Sequence, residues 1–270
     1  MEYIPAKSIV NRTKNPSWFG TEYNMNIYRG CCHGCIYCDS RSDCYHNEDF
    51  DRVKAKADAL RIIRDDLESK VKVGVVGTGS MSDPYNPFEE ELQLTRRALT
   101  LLEAYGFGVA IATKSDLIVR DADVLASINR TMPAICKITL TTCDDALAAK
   151  VEPHAPSPSR RLAAVERLSA AGLFTGILMM PILPFLEDRP ENIRDILNRA
   201  ADAGARFVYP ALGMTCRAGQ REYFYRKLEE HFPGQGLAEK YQRRYGPRYE
   251  CASPKARALW EVFQEACNRR

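Results

Sequence analysis

The stretch that decides the reading is Gly30-Cys31-Cys32-His33-Gly34-Cys35-Ile36-Tyr37-Cys38. Taken as Cys31, Cys35 and Cys38, its spacing is CxxxCxxC. Three thiolates on one short loop can hold three irons of a [4Fe–4S] cluster and leave the fourth iron open to a small molecule. Such clusters take soft thiolate ligands, and a ferredoxin would supply a fourth cysteine at defined spacing. The alternative is a structural zinc site, which wants four closed ligands, usually as two separated pairs. Cys32, His33 or Cys44 could complete a set, but no second pair follows at zinc-finger spacing.

Working outward, the chain of 270 residues holds ten cysteines, and the other six (Cys44, Cys136, Cys143, Cys216, Cys251, Cys267) are scattered without CxxC pairing. A disulfide scaffold suits a small exported domain. This chain is too long to need staples, and MEYIPAKSIV has no charged segment leading into an apolar core. No apolar run approaches the roughly 18 residues of a membrane span. A cytoplasmic protein with no membrane association is expected. The 38 Lys+Arg and 35 Asp+Glu give a net charge of +3, too weak to argue nucleic-acid binding by itself. Cys136, inside a strand, and Cys267, on the apolar stripe of the last helix, read as small core residues.

From residue 53 two periods alternate. Val53, Ala57, Leu60, Ile63 and Leu67 recur at helical spacing, then KVGVVG from Lys72 reads as a buried strand. Phe88, Leu92, Thr95, Leu99 and Leu102 precede FGVAIA from Phe107, and Val124, Leu125 and Ile128 precede CKITL from Cys136. Leu162, Val165 and Leu168 precede FTGILMM from Phe174, and Ile193, Ile196, Leu197 and Ala200 precede RFVYP from Arg206. The strands recur at roughly the interval of a βαβ repeat, about 30–40 residues. A first strand in YNMNIYRG makes six β/α units, with Gly172 and Gly204 placed to cap helices. The pattern predicts one domain built on a parallel sheet, barrel-like or doubly wound, with its chemistry at the C-terminal strand ends. A mostly helical tail follows.

At these residues the chain resembles the radical S-adenosylmethionine (SAM) superfamily. GCCHGCIYC resembles the GCxHxCxYC of the group related to spore photoproduct lyase. SDPYNP from Ser82, LTRRAL from Leu94, ATKSD from Ala112, TLTT from Thr139, EPHAPS from Glu152, MPILP from Met180 and YGPRYECASP from Tyr245 resemble that group's other blocks. The likeness implies an incomplete (β/α)6 barrel of the TIM type over about residues 20–215, with 216–270 a helical C-terminal extension of the same domain. It implies a [4Fe–4S] cluster on Cys31, Cys35 and Cys38, with SAM on the open iron. Reductive cleavage of SAM would then give a 5′-deoxyadenosyl radical that takes hydrogen from substrate.

By the same likeness Ser82 and Asp83 sit where the SAM amino group is held, and Lys114 pairs with the SAM carboxylate. Thr139 offers a hydroxyl to that carboxylate, Tyr37 lies near the adenine, and Met180 and Pro181 form part of its apolar wall. A one-electron donor such as flavodoxin or ferredoxin is an expected partner, and a monomer is expected.

The chain also departs from the lyase. The lyase carries a cysteine hydrogen-atom donor in a CTSDP-like block, where this chain reads Ser80-Met81-Ser82-Asp83-Pro84. It also has tyrosines on both sides of its last cluster cysteine, where this chain has Tyr37 and Asp39. Cys143, Cys216, Tyr249 and Cys251 are then candidate radical or hydrogen donors, with a structural thiol as the plainer reading of each cysteine. Arg217, Arg221, Arg226, Lys227, Lys240, Arg243, Arg244 and Arg248 interleave with Tyr223, Tyr225, Tyr241 and Tyr245. That pattern suits a nucleic-acid surface, but Glu222, Glu229, Glu230 and Glu239 dilute it toward a solvated helical face. The substrate stays unassigned, and a non-catalytic zinc module docking nucleic acid is the alternative.

Overall fold

A computed structural model describes residues 1–15, 20–47 and 49–269. Its centre is a seven-stranded sheet whose first strand, β1 (Val10–Arg12), lies antiparallel at one edge. Six parallel strands follow: β2 (Tyr23–Met25), β3 (Val75–Thr78), β4 (Gly108–Thr113), β5 (Ala134–Thr139), β6 (Phe174–Met179) and β7 (Val208–Pro210). Each pairs with the next along the chain. A doubly wound sheet reverses its order at a switch point. This order never reverses, and its two end strands do not pair, so the architecture is an open, incomplete barrel.

The helices that pack on the sheet between strands include α1 (Ala59–Glu68), α2 (Leu94–Ala104), α3 (Ala122–Ile128), α4 (Pro158–Ala170) and α5 (Pro190–Asp202). Their apolar stripes cover the outer face of the sheet: Ile63 and Leu67, Leu99 and Leu102, Leu125 and Ile128, Val165 and Leu168, Ile193 and Ile196. Each buried aliphatic side chain contributes about 1.5–3 kcal/mol of transfer free energy. Gly172 and Gly204 end α4 and α5 at φ +78° and +80°, where only glycine turns without penalty. Cys136 is fully buried in this core.

The boundaries differ from the periodicity in three places. Asp58 takes a left-handed conformation and Lys54–Lys56 is a strand, so α1 starts after the first residues of its apparent stripe. The stripe from Phe88 to Leu102 is broken at Gln93 (φ +48°), because the buried Glu89 carboxylate accepts the Thr95 N–H at 2.6 Å and caps a new helix. YNMNIYRG splits: Tyr23–Met25 joins the main sheet, and Tyr28–Arg29 joins a small sheet with Glu2–Ile4 and Lys54–Lys56.

Beyond β7 lie α6 (Gln220–His231), α7 (Leu237–Tyr245) and α8 (Ala256–Asn268), with a ribbon of Gly213–Thr215 against Glu250–Ala252. Helix α8 packs on α5. It buries Leu259 and Phe263, and Cys267 falls past that contact and is exposed, contrary to the core position expected for it. Helices α6 and α7 pack Phe224, Leu228, Tyr241 and Tyr245 into a second core together with Ile36 and Tyr37. The tail therefore backs the cysteine loop. Among the described residues, no helix is long and apolar enough to cross a membrane.

Candidate functional site

The cysteine loop follows β2 and the short Tyr28–Arg29 strand, and its backbone is tied on every side. A side chain at Gly30 would meet the Phe50 and Arg52 carbonyls at 2.7 and 2.6 Å. Cys31 N–H donates to the Phe50 carbonyl at 2.8 Å, Ile36 N–H to Val151 at 3.0 Å, and His154 N–H to His33 at 3.0 Å. From the tail, Gln220 Nε2 donates to the Tyr37 carbonyl at 3.0 Å.

This bracing sets Cys31, Cys35 and Cys38 on the wall of a cavity of about 520 Å³ at the C-terminal mouth of the barrel. Ser82, Asp83, Lys114, Thr139, Met180 and Pro181 line the same cavity, as does Tyr37. Every residue expected to hold the cluster or SAM is thus brought to one place. Cys32 is not among them. It packs against the main core and borders a separate surface cleft with Asp51 and Val53.

Burial pushes all three thiols up, Cys31 to about 12, while the Lys114 ammonium draws Cys35 and Cys38 back toward ionisation. Cys31 raises Cys35, and Cys38 raises both. Burial opposes the charge on Lys114, but Cys35 and Glu152 outweigh it and raise its pKa. Its Nζ lies 5.6 Å from the centre of the Tyr37 ring. Among the described residues, no three His, Cys, Asp or Glu side chains converge on a point that one metal ion could occupy. Thiols that each serve a different iron have no need to converge in that way.

Two features were not read from the sequence. His33 Nε2 lies 3.1 Å from Asp83 Oδ2, both side chains being buried. The same carboxylate accepts Tyr85 N–H at 2.9 Å, Thr113 Oγ1 at 2.6 Å and Lys114 N–H at 2.8 Å. Burial alone would raise Asp83, but His33 and these donors hold its pKa at about 2. A carboxylate offers about four acceptor positions, and here the protein fills them. Asp83 pins the cysteine loop to the ends of β3 and β4, and the Ser82 hydroxyl donates to the Tyr28 carbonyl at 2.9 Å.

Behind the loop, Glu152 and Arg161, each 1% exposed, form an ion pair at 2.5 Å. Tyr37 Oη donates to Glu152, and Arg161 Nη1 donates to the Thr139 carbonyl at 3.1 Å. Glu152 lay inside the EPHAPS block and His33 inside the cysteine motif. Their pairing needs Asp83 and Arg161 from distant segments, which no local spacing reveals.

A third buried acid, Glu187, accepts Thr141 Oγ1 at 2.8 Å and Leu183 N–H at 2.9 Å, and burial pushes its pKa up to about 8. An unfolded glutamate ionises near about pH 4.3. Between these values the folded chain holds a proton that the unfolded chain releases. Stability is therefore fullest below the lower value and falls as pH rises toward the upper, by at most about 1.4 kcal/mol per unit. Glu187→Gln is expected to flatten this loss. Urea unfolding at mildly acidic and mildly alkaline pH checks it, and an equal variant-to-parent difference at both would show Glu187 ionised throughout.

The four donor candidates lie elsewhere. Cys143 is buried in the main core, where Asp195 and Arg199 of α5 act on it. Cys216 and Cys251 are buried in the second core and hydrogen-bonded to each other, with Arg221 beside Cys216. Tyr249 is 44% exposed and receives a bond from Arg217 at 2.9 Å. None of the four lines the cavity. In the basic tail, Tyr241 and Tyr245 are buried, and Arg221 donates to the carbonyls of Cys216, Pro247 and Arg248. Tyr241, Tyr245 and Arg221 thus serve the fold, whereas Tyr223 is half-buried and the Arg226 guanidinium lies 5.3 Å from its ring centre.

The family model of the radical SAM superfamily matches residues 25–208, from the end of β2 to the start of β7. An uncharacterized protein of Mycobacterium tuberculosis is 31% identical over 249 residues, 90% of this chain and 72% of its own length. One from Methanocaldococcus jannaschii is 30% identical over 190 residues, 68% of each chain. Among solved structures, spore photoproduct lyase complexed with dinucleoside spore photoproduct superposes with a TM-score of 0.71 at 15% identity, over 99% of this chain and 78% of the lyase. The radical SAM methyltransferase TsrM from Kitasatospora setae gives 0.59 at 10% identity, over 90% of this chain and 51% of its own.

Proposed function

Because this chain belongs to the radical SAM superfamily, we propose that it is a radical SAM enzyme holding a [4Fe–4S] cluster on Cys31, Cys35 and Cys38, with SAM beside it. The observation that carries the reading is the convergence of those thiols with Ser82, Lys114, Thr139, Met180 and Pro181 on one cavity. When bound and reduced by one electron, the cluster and SAM together supply methionine and a 5′-deoxyadenosyl radical able to abstract hydrogen.

The chain's residues then have distinct tasks. Lys114 supplies the cation that neutralises the SAM carboxylate in a site too dry to leave it unpaired, and Thr139 adds a hydroxyl. Ser82 Oγ accepts from the SAM amino group, since its own proton is engaged with the Tyr28 carbonyl. Asp83 is given the separate task of holding the loop, because its oxygens are filled. Tyr37 supports the adenine side through its backbone, and Met180 and Pro181 close that side against water. Electrons would come from a small carrier such as a flavodoxin or ferredoxin.

Ser80 lines the cavity where the lyase-like pattern has a thiol, and a hydroxyl O–H bond is too strong to return a hydrogen atom. Such a lyase-like enzyme would end its reaction by a different final step from the lyase.

Anaerobic purification tests it. The expected protein is brown, carries iron and sulfide in equal amounts, and releases 5′-deoxyadenosine from SAM only with a strong reductant. Lys114→Ala should keep its iron and bind SAM about 30-fold more weakly, the loss typical of truncating a buried charge pair. A colourless protein holding stoichiometric zinc would refute the cluster. Unchanged SAM affinity in the Lys114 variant would refute the carboxylate site.

A further inference from the structure

The turn after the last cysteine of the motif holds two residues that the cofactor scheme does not use. Asp39–Arg41 is a single turn that starts from Cys38, and Arg41 N–H donates to the Cys38 carbonyl at 3.2 Å. Ser40 is 8% exposed and lines the cavity together with Cys38. Its N–H and its hydroxyl both donate to the Cys38 sulfur. The Asp39 carboxylate is taken up elsewhere. It accepts Thr215 Oγ1 at 3.0 Å and Tyr45 Oη at 3.2 Å and pairs with Arg217 at 3.4 Å.

The Arg41 guanidinium is clamped. It lies 3.8 Å from the ring centre of Tyr223 on α6 and 4.8 Å from that of Phe50. It also donates to both oxygens of Asp51, one of them at 2.9 Å. Stacking on aromatic faces suits the flat guanidinium and fixes its charge in place. One tyrosine of the basic tail is thus committed to holding a cation next to the cysteine loop. The Asp51 side chain is 58% exposed and that of Arg41 11%, so water screens the anion more than the cation. The charge of Arg41 acts on Cys38, and Cys38 acts on Arg41.

An iron–sulfur cluster takes its potential from its net charge, its exposure and the hydrogen bonds to its sulfurs. One-electron reduction adds an electron and no proton. Negative charge on the ligand sulfurs grows, so a donor or a cation at one of them counts for more after reduction than before. Two donors from Ser40 and the clamped charge of Arg41 meet at one sulfur.

We propose that Ser40 and Arg41, acting through Cys38, raise the reduction potential of the cluster and so set how strong an electron carrier it needs. The proposal rests on the cluster reading above. Both are positioning residues, and their effect is read without turnover.

The test is a redox titration of the anaerobic, iron-loaded protein without SAM, followed by electron paramagnetic resonance. Ser40→Ala and Arg41→Met should keep the parent's iron content and circular dichroism. Each should lower the midpoint potential, the equilibrium constant for reduction falling about threefold, which is about 28 mV for one electron at about 59 mV per tenfold. Ser40→Thr keeps the hydroxyl and Arg41→Lys keeps the charge, and both should stay near the parent. Ser40→Ala deletes a single oxygen, so it decides the question even where Arg41→Met fails to fold. A parental potential in Ser40→Ala, or equal shifts in Arg41→Met and Arg41→Lys, would overturn the proposal. Failure of the cluster reading looks different: the parent protein itself would take up no iron and give no reducible signal.

Discussion

Replacing Cys35 by alanine is expected to yield a folded protein that holds no stable cluster, whereas Cys32→Ala should keep its full iron content. The two residues share the same crowded motif, so their composition and spacing do not separate them. Their surroundings do. Cys35 is 7% exposed, lines the cavity and lies in the field of Lys114, Cys31 and Cys38. Cys32 is turned to the other side, against the main core and a surface cleft. Losing one of three thiolates leaves two irons with protein ligands, and nothing nearby replaces it: Cys32 faces away and His33 is held by Asp83. The loop should survive the substitution, because the bonds from Cys31, Ile36, His154 and Gln220 that hold it all use backbone atoms of the loop. Iron and sulfide analysis after anaerobic reconstitution, with circular dichroism on the same samples, checks both halves. Full iron in Cys35→Ala, or loss of iron in Cys32→Ala, would mean that a different trio serves the cluster.

That contrast also shows where sequence reasoning stops. The six parallel strands were legible because a strand covered on both faces is a nearly continuous apolar run, as in GVAIAT from Gly108. Three thiols, a lysine and a serine were legible as site candidates because each sits at a strand end or on the motif loop, where this architecture gathers its chemistry. Periodicity is blind to left-handed residues such as Gln93 and Asp58, which stop or start a helix inside an unbroken apolar pattern. It also cannot pair distant charges. Asp83 looked like a cofactor ligand and is occupied by His33, fifty residues upstream in the fold's first loop. Tyr241 was one of four tail tyrosines whose pattern suited a stacking surface, yet its Oη donates to the Pro184 carbonyl and its ring packs beside Phe224 and Phe185. Amphipathic residues of this type take either role, and only their burial decides between them.

The other large effect is expected from Glu152, a residue outside the cysteine motif. Glu152→Gln should destabilise the fold by about 3–5 kcal/mol, because it leaves the Arg161 guanidinium buried without its counter-charge. For a chain of this size that corresponds to a fall of roughly 6–20 °C in the unfolding midpoint. Burial resists ionisation of Glu152, but Arg161, Lys114 and the Tyr37 hydroxyl together keep its pKa below the usual value, so the folded state carries the charge. The consequences reach the site by two routes. Tyr37 loses its charged acceptor one residue before Cys38, and the Thr139 carbonyl loses a well-fixed donor. Iron retention should therefore fall more than in a surface variant of equal stability, such as one engineered at an exposed helix position. A double variant, Glu152→Leu with Arg161→Met, removes both charges and should recover much of the stability, since an apolar pair of similar volume often matches a buried ion pair. It should not restore the bond to Tyr37. Thermal unfolding and iron analysis on the single and double variants separate the two effects. Stability regained together with full iron retention would show that Glu152 serves only to balance Arg161. Stability regained with iron still lost would show that it positions the cysteine loop through Tyr37.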